Sequence, residues 1–116
     1  MTPGTYNIPT HRRGDTTAAV TFTFERGDPL EPIDLTGAAI NIKFRDRQTK
    51  KVALTLTAGS GITITDAVNG VARINKGAMT PLEFGLYDYD VELIEGNGDK
   101  NTYIVGTKPV QIDTTF

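Results

Sequence analysis

The chain has 116 residues, 38% of them apolar, with five Phe, four Tyr and no Trp; that supplies one thin sandwich or barrel core, and neither a second domain nor a large ligand cavity. Its 12 Lys and Arg against 14 Asp and Glu leave a net charge of −2, and the cations gather only in short pairs such as Arg12-Arg13 and Lys50-Lys51, which argues against a nucleic-acid binder built on a basic stripe. There is no cysteine, hence no disulfide frame and no thiolate metal site, and no apolar run reaches the roughly 20 residues of a membrane helix.

In chain order, residues 1–15 are polar, carry Pro3 and Pro9, and lack the apolar centre of a secretion signal, so synthesis in the cytoplasm is expected. One domain spans residues 1–116, with 1–10 as an extended arm. Residues 5–10 are uncharged, place Tyr6 and Ile8 on one parity, and have little nearby to pack against. Such a segment can add a strand to a neighbouring copy, which makes Tyr6 and Ile8 the candidate assembly contact. Arg13-Gly14-Asp15 spells an integrin-binding tripeptide but reads more simply as a turn launching the first core strand. In that strand Ala18, Val20, Phe22 and Phe24 alternate with Thr21, Thr23 and Glu25, the pattern of a strand with one buried face.

A turn at Arg26-Gly27-Asp28-Pro29 follows. Asp34 can cap a second turn with its side chain, Gly37 frees the backbone there, and Leu35 can plug the end of the sandwich. Ala38, Ile40, Ile42 and Phe44 then alternate with Asn41, Lys43 and Arg45. Val52, Leu54 and Leu56 repeat the period, as do Ile62 and Ile64 after Gly59-Ser60-Gly61. Asn69-Gly70 is a hairpin signal before residues 71–74. Thr80-Pro81-Leu82-Glu83 has the form of a capping box, predicting one short helical turn that Gly85 ends. Tyr87, Tyr89, Val91 and Leu93 form the longest alternating run. Gly96-Asn97-Gly98-Asp99 turns the chain into two weaker strands, 102–105 and 109–112. Residues 1–4 and 114–116 are expected to fray. The expected core contains Phe22, Phe24, Ile40, Ile42, Phe44, Leu54, Tyr89, Val91 and Leu93. Short strands at this spacing make the chain all-β, a sandwich or a barrel.

No residue is poised for catalysis, and no cofactor or metal site is expected. His11 is the only histidine and reads as a solvated loop residue. Asp88, Asp90 and Glu92 share one strand face about 7 Å apart, a spacing that glycosidase carboxyl pairs can use. No aromatic sugar platform shares that face, so the favoured reading is a solvated ladder whose repulsion is relieved by Lys or Arg on a neighbouring strand. Calcium is the lesser alternative, without the calcium-loop spacing. Glycine-rich phosphate loops, nucleophile elbows and Ser/His/Asp arrangements are absent from the sequence.

Several pieces then acquire meaning from their order. Arg13-Gly14-Asp15-Thr16 precedes Asp34-Leu35-Thr36-Gly37-Ala38, which leads into the strand through Ile40, Ile42 and Phe44-Arg45. Gly59-Ser60-Gly61-Ile62, Asn69-Gly70-Val71, the turn at Thr80, Gly85-Leu86-Tyr87-Asp88-Tyr89-Asp90-Val91, Gly106 and Val110 follow. Over residues 12–115 this order resembles the N-terminal immunoglobulin-like domains of upper baseplate proteins in phages of lactic-acid bacteria, and related stand-alone proteins of tailed phages and prophages. The resemblance implies an immunoglobulin-like antiparallel β-sandwich of roughly seven or eight strands with one short helical turn. It also implies a non-enzymatic virion component of the tail, baseplate or head–tail region. Its partners would be other phage structural proteins and further copies of itself, with no nucleic acid and no membrane. The chain departs from the baseplate proteins in showing no long helix or receptor-binding head, so a host-receptor role is not expected. The competing function is a carbohydrate- or surface-binding module, which would show a pair of exposed aromatics on a concave face.

Overall fold

The structure is a computed structural model and describes residues 4–27 and 29–111. Within them lie β1 (Gly4–Thr5), β2 (His11–Arg12), β3 (Val20–Thr23), β4 (Glu25–Arg26), β5 (Glu31–Pro32) and β6 (Ala39–Asp46), followed by β7 (Val52–Ala58), β8 (Gly61–Asp66), β9 (Val71–Ile74), β10 (Gly85–Ile94) and β11 (Lys100–Gln111). Pairing runs β1-β11-β10-β6-β7-β8-β9-β3, with β2 also on β11, while β4 and β5 form a separate hairpin. The path folds over at Gly59 and Gly61, both at positive φ (92° and 93°). L side chains rarely adopt such a φ, so glycine turns this corner, and a Cβ on Gly61 would also come within 2.6 Å of Leu56 Cδ2. One layer therefore contains β11, β10, β6 and β7, and the other β8, β9 and β3.

The inward parities meet in one core. Across the β6–β10 ladder Ile40 lies opposite Leu93, Ile42 opposite Val91 and Phe44 opposite Tyr89, and all six are buried, together with Phe22, Phe24, Ile62, Ala72 and Ile74 from the other layer and its connections. Leu35 plugs one end as expected, and Asp34 Oδ1 accepts the Thr36 amide at 2.9 Å. At the entry to β10, the Tyr87 hydroxyl donates to the Glu83 carbonyl at 2.8 Å, with Gly85 at φ 147° between them. A strand-entry tyrosine bonded back to the chain a few residues upstream is the tyrosine corner of immunoglobulin-like sandwiches. The fold is an immunoglobulin-like, mainly antiparallel β-sandwich.

Four details differ from the sequence expectation. The strand segments number eleven among the described residues, because the arm and the β4–β5 hairpin add short pieces, while 102–105 and 109–111 merge into β11. The helical turn at Thr80 does not form, and residues 76–81 are turns. The Thr80 hydroxyl accepts the Thr17 amide at 3.2 Å and donates to the Asp15 carbonyl at 3.1 Å, so a tertiary partner takes the oxygen that a capping box would have used. Leu54, opposite Phe44, is only partly buried and Val52 is 45% exposed; a register shift between Phe44 and Arg45 breaks the regular pairing at Val52. Gly4, expected to fray, pairs with Ile104. The rest of the expected frayed ends, residues 1–3 and 114–116, lies outside the described residues, as do residue 28 of the first turn and residue 112 of the last strand.

Candidate assembly site

The arm is built onto the last strand. Its amides at Tyr6 and Ile8 donate to Val105 and Thr107 carbonyls at 3.0 and 2.9 Å, and β1 and β2 run parallel to β11 on either side of Pro9. Proline has no amide to continue the ladder. Its carbonyl instead accepts from Lys108 Nζ, which reaches up from β11. Asn7 Oδ1 accepts both the amide and the hydroxyl of Thr107, each at 3.2 Å, and the Tyr89 hydroxyl donates to the Tyr6 carbonyl.

These contacts need a gap in β11, and Gly106 supplies it. A Cβ there would stand 1.9 Å from the Tyr6 carbonyl oxygen. The expectation that residues 5–10 find little to pack against in their own chain is therefore corrected. Ile8 is 2% exposed inside the chain's own core, whereas Tyr6 stays 43% exposed with its ring edge against Phe22, centroids 6.1 Å apart. The sequence marks this seat only indirectly, by a glycine in the middle of a β-forming run and by Lys108 on the inward parity of that run, and neither names the arm as the partner.

The electrostatics beneath the arm are unusual. The Lys108 side chain is 1% exposed, and burial pulls its ammonium down to about 8. His11 is not the solvated loop residue expected. It sits in β2, and neither ring nitrogen is solvent-accessible or hydrogen-bonded. Burial first, then the neighbouring Lys108 charge, holds its pKa below the usual imidazole value, with Asp15 acting in the opposite direction. Burial also raises the Tyr89 hydroxyl, so it remains a donor at neutral pH.

A solved structure shares this architecture. The chain is similar in fold to CopC. CopC from Methylosinus trichosporium OB3b aligns over 92% of this chain and 87% of its own length, with a TM-score of 0.50 and 12% sequence identity; at that identity the likeness concerns fold alone. Murine CRIg aligns over 98% of this chain and 96% of its own at 11% identity, but its TM-score of 0.34 carries no argument. No protein-family model and no curated protein matches the sequence.

The carboxylate ladder faces outward on β10, and the neighbouring strands neutralise it. Asp88 lies opposite Arg45 and Asp90 opposite Lys43. Arg47 grips Asp88 through Nη2 at 2.6 Å and Nε at 3.2 Å, and Lys100 Nζ is 3.6 Å from Glu92. The Arg47 hydrogen bonds hold the Asp88 carboxyl below its usual range. Among the described residues no group of three His, Cys, Asp or Glu side chains could hold a metal ion. Exposed pairs of this kind contribute little. Asp88→Asn, Asp90→Asn and Glu92→Gln together should therefore shift stability by less than about 2 kcal/mol and leave the fold intact. A larger loss in a urea titration would mean that the ladder holds the sandwich together.

Proposed function

We propose that this chain is a non-enzymatic structural subunit of a tailed-phage virion, in the tail, baseplate or head–tail region, acting through protein–protein assembly. The sequence resemblance over residues 12–115 supports the context, and the arm supports the mode of action. Its docking site is a strand edge fitted to one specific segment, with Gly106, Tyr89, Thr107 and Lys108 each meeting a named arm residue. An arm from a neighbouring copy presents the same groups, so exchange of arms around a closed ring replaces every bond that each subunit gives up. Tyr6 and Ile8 then carry the contact, Ile8 as the buried anchor. Among the described residues the carbohydrate-binding alternative lacks its signature. The exposed aromatics Tyr6 and Phe84 lie on separate segments, and Tyr6 packs on Phe22.

Light scattering on the full chain and on a version starting at His11 tests the mode of action. The full chain is expected to form oligomers, alone at high concentration or on particles, and the shortened chain to stay monomeric. Equal behaviour of the two would remove the arm from assembly. Mass spectrometry of purified particles tests the context, and particles without the chain would overturn it.

A further inference from the structure

The β2 end of the arm is held by groups that do not suit one another. His11 pairs with Val110 two residues past Pro9, and both its ring nitrogens are closed to solvent without a hydrogen-bond partner. The partial exposure that the residue keeps lies on its other atoms. Two positions before Val110, Lys108 is 1% exposed and directs its ammonium to the Pro9 carbonyl. Among the described residues the ion pairs are Arg13–Glu83, Arg26–Glu95, Arg47–Asp88 and Lys100–Glu92, and none involves His11 or Lys108. Both side chains line the cleft between the arm and the segment leading into β3, and the other residues lining it carry no charge. Asp15, in the turn after β2, is the carboxylate that acts on His11, and it does so through space. The loop that brings Met79 into the cleft carries Lys76 and Glu83, and Arg13 holds Glu83 at 3.3 Å. Arg12 and Arg13 follow His11 in the chain and add only positive charge.

We propose that the β2 end of the arm is an acid-sensitive latch, which protonation of His11 opens. A second proton turns the ring into a cation with two donors, at a place that offers neither an acceptor nor solvent to its nitrogens. It also sets that cation beside the buried Lys108, which is pulled down to about 8 and so keeps its charge throughout the acid range. A released β2 takes the same proton in water without these costs. Burial, then the Lys108 charge, hold the docked imidazole below its ordinary value of 6.5, with Asp15 opposing them. Docking is therefore at full strength above about 6.5 and weakens as the pH falls below it. Release takes up at most one proton, so the weakening is limited to about tenfold per pH unit, and it ends where the docked ring itself titrates. Histidine is the side chain suited to such a change near neutral pH. Opening frees the Arg13 amide from the Gln111 carbonyl, which it meets at 2.8 Å, and loosens the arm from the end opposite β1. This inference does not depend on the virion reading.

The test uses the full chain and its single histidine, whose ring signals in an NMR spectrum are unambiguous. Amide exchange is followed from about pH 7.5 to about pH 5 and corrected for the intrinsic pH dependence of exchange. The opening constant at the Arg13 amide is expected to rise by about 3- to 30-fold over that range, while amides of β6 and β10 keep theirs. His11→Phe keeps a ring in the same place but cannot take a proton, and it should abolish the rise at Arg13. A second measurement needs no variant: the His11 ring signals of the full chain should titrate below the ordinary imidazole value. Unchanged opening at Arg13, an equal rise across β6 and β10, the same rise in His11→Phe, or a ring that titrates at or above the ordinary value would each overturn the proposal.

Discussion

Phe44→Ala is expected to destabilise the protein by about 3–5 kcal/mol. The ring is 0% exposed and lies in the middle of the β6–β10 ladder. It stacks on Tyr89 with centroids 5.6 Å apart and planes at 27°, and Leu54 lies opposite it on β7. Truncation removes the buried ring and leaves a cavity that three strands, tied by their ladders, are poorly able to close. The cost of a cavity rises with how little its walls can relax. An equilibrium urea titration measures the change. A loss below about 1 kcal/mol would mean that the ring does not occupy the centre of the core.

Gly106→Ala should expel the arm from its own β11. This glycine is not at positive φ, unlike Gly59, Gly61 or Gly70, so alanine suits its backbone and the substitution tests space alone. The added methyl would stand 1.9 Å from the Tyr6 oxygen, 2.8 Å from the Tyr6 carbonyl carbon and 2.9 Å from Tyr89 Cε1. Two of these are backbone atoms that cannot rotate away. Losing the arm exposes Ile8, at about 1.5–3 kcal/mol, and leaves the Tyr89 hydroxyl without its acceptor, at about 1–3 kcal/mol if water does not replace it. Amide exchange reads the result directly. The Tyr6 and Ile8 amides should lose protection while those of β6 and β10 keep theirs. Retained protection at Ile8 would mean that the arm does not cross Gly106.

The long strands were legible because their alternation is set by burial on one face, and β6 and β10 carry it over many residues without interruption. Leu35, the Asp34 turn, the Asn69-Gly70 hairpin and the neutralised ladder were legible for a related reason, since each rests on contacts close in sequence or on a cross-strand partner of obvious charge. What could not be read depends on partners distant in sequence. Thr80 and Glu83 have the right spacing for a capping box, but the Thr80 oxygen is claimed by Thr17, 63 residues away. The β4–β5 hairpin is too short to show a period. The docking of the arm was missed because Ile8 finds its place only when β11 is laid beside it. Lys108, polar by type and inward by parity, contradicts its own strand pattern, and that contradiction was a local sign of its buried place beneath the arm.

The arm and its seat also lie far apart in time. Asn7 meets Thr107 across 100 positions of the chain, so during synthesis at about 5–20 residues per second the arm waits roughly 5–20 s for its strand to be made. Closing so long a loop is also among the last steps available to a folding sandwich. Through that interval Tyr6 and Ile8 stay uncovered on every nascent subunit. Neighbouring ribosomes on one message hold several such subunits close together, each with an unclaimed arm. In the arm exchange proposed above, whether an arm closes on its own chain or on a neighbour's would then be a race set by translation rate and local crowding.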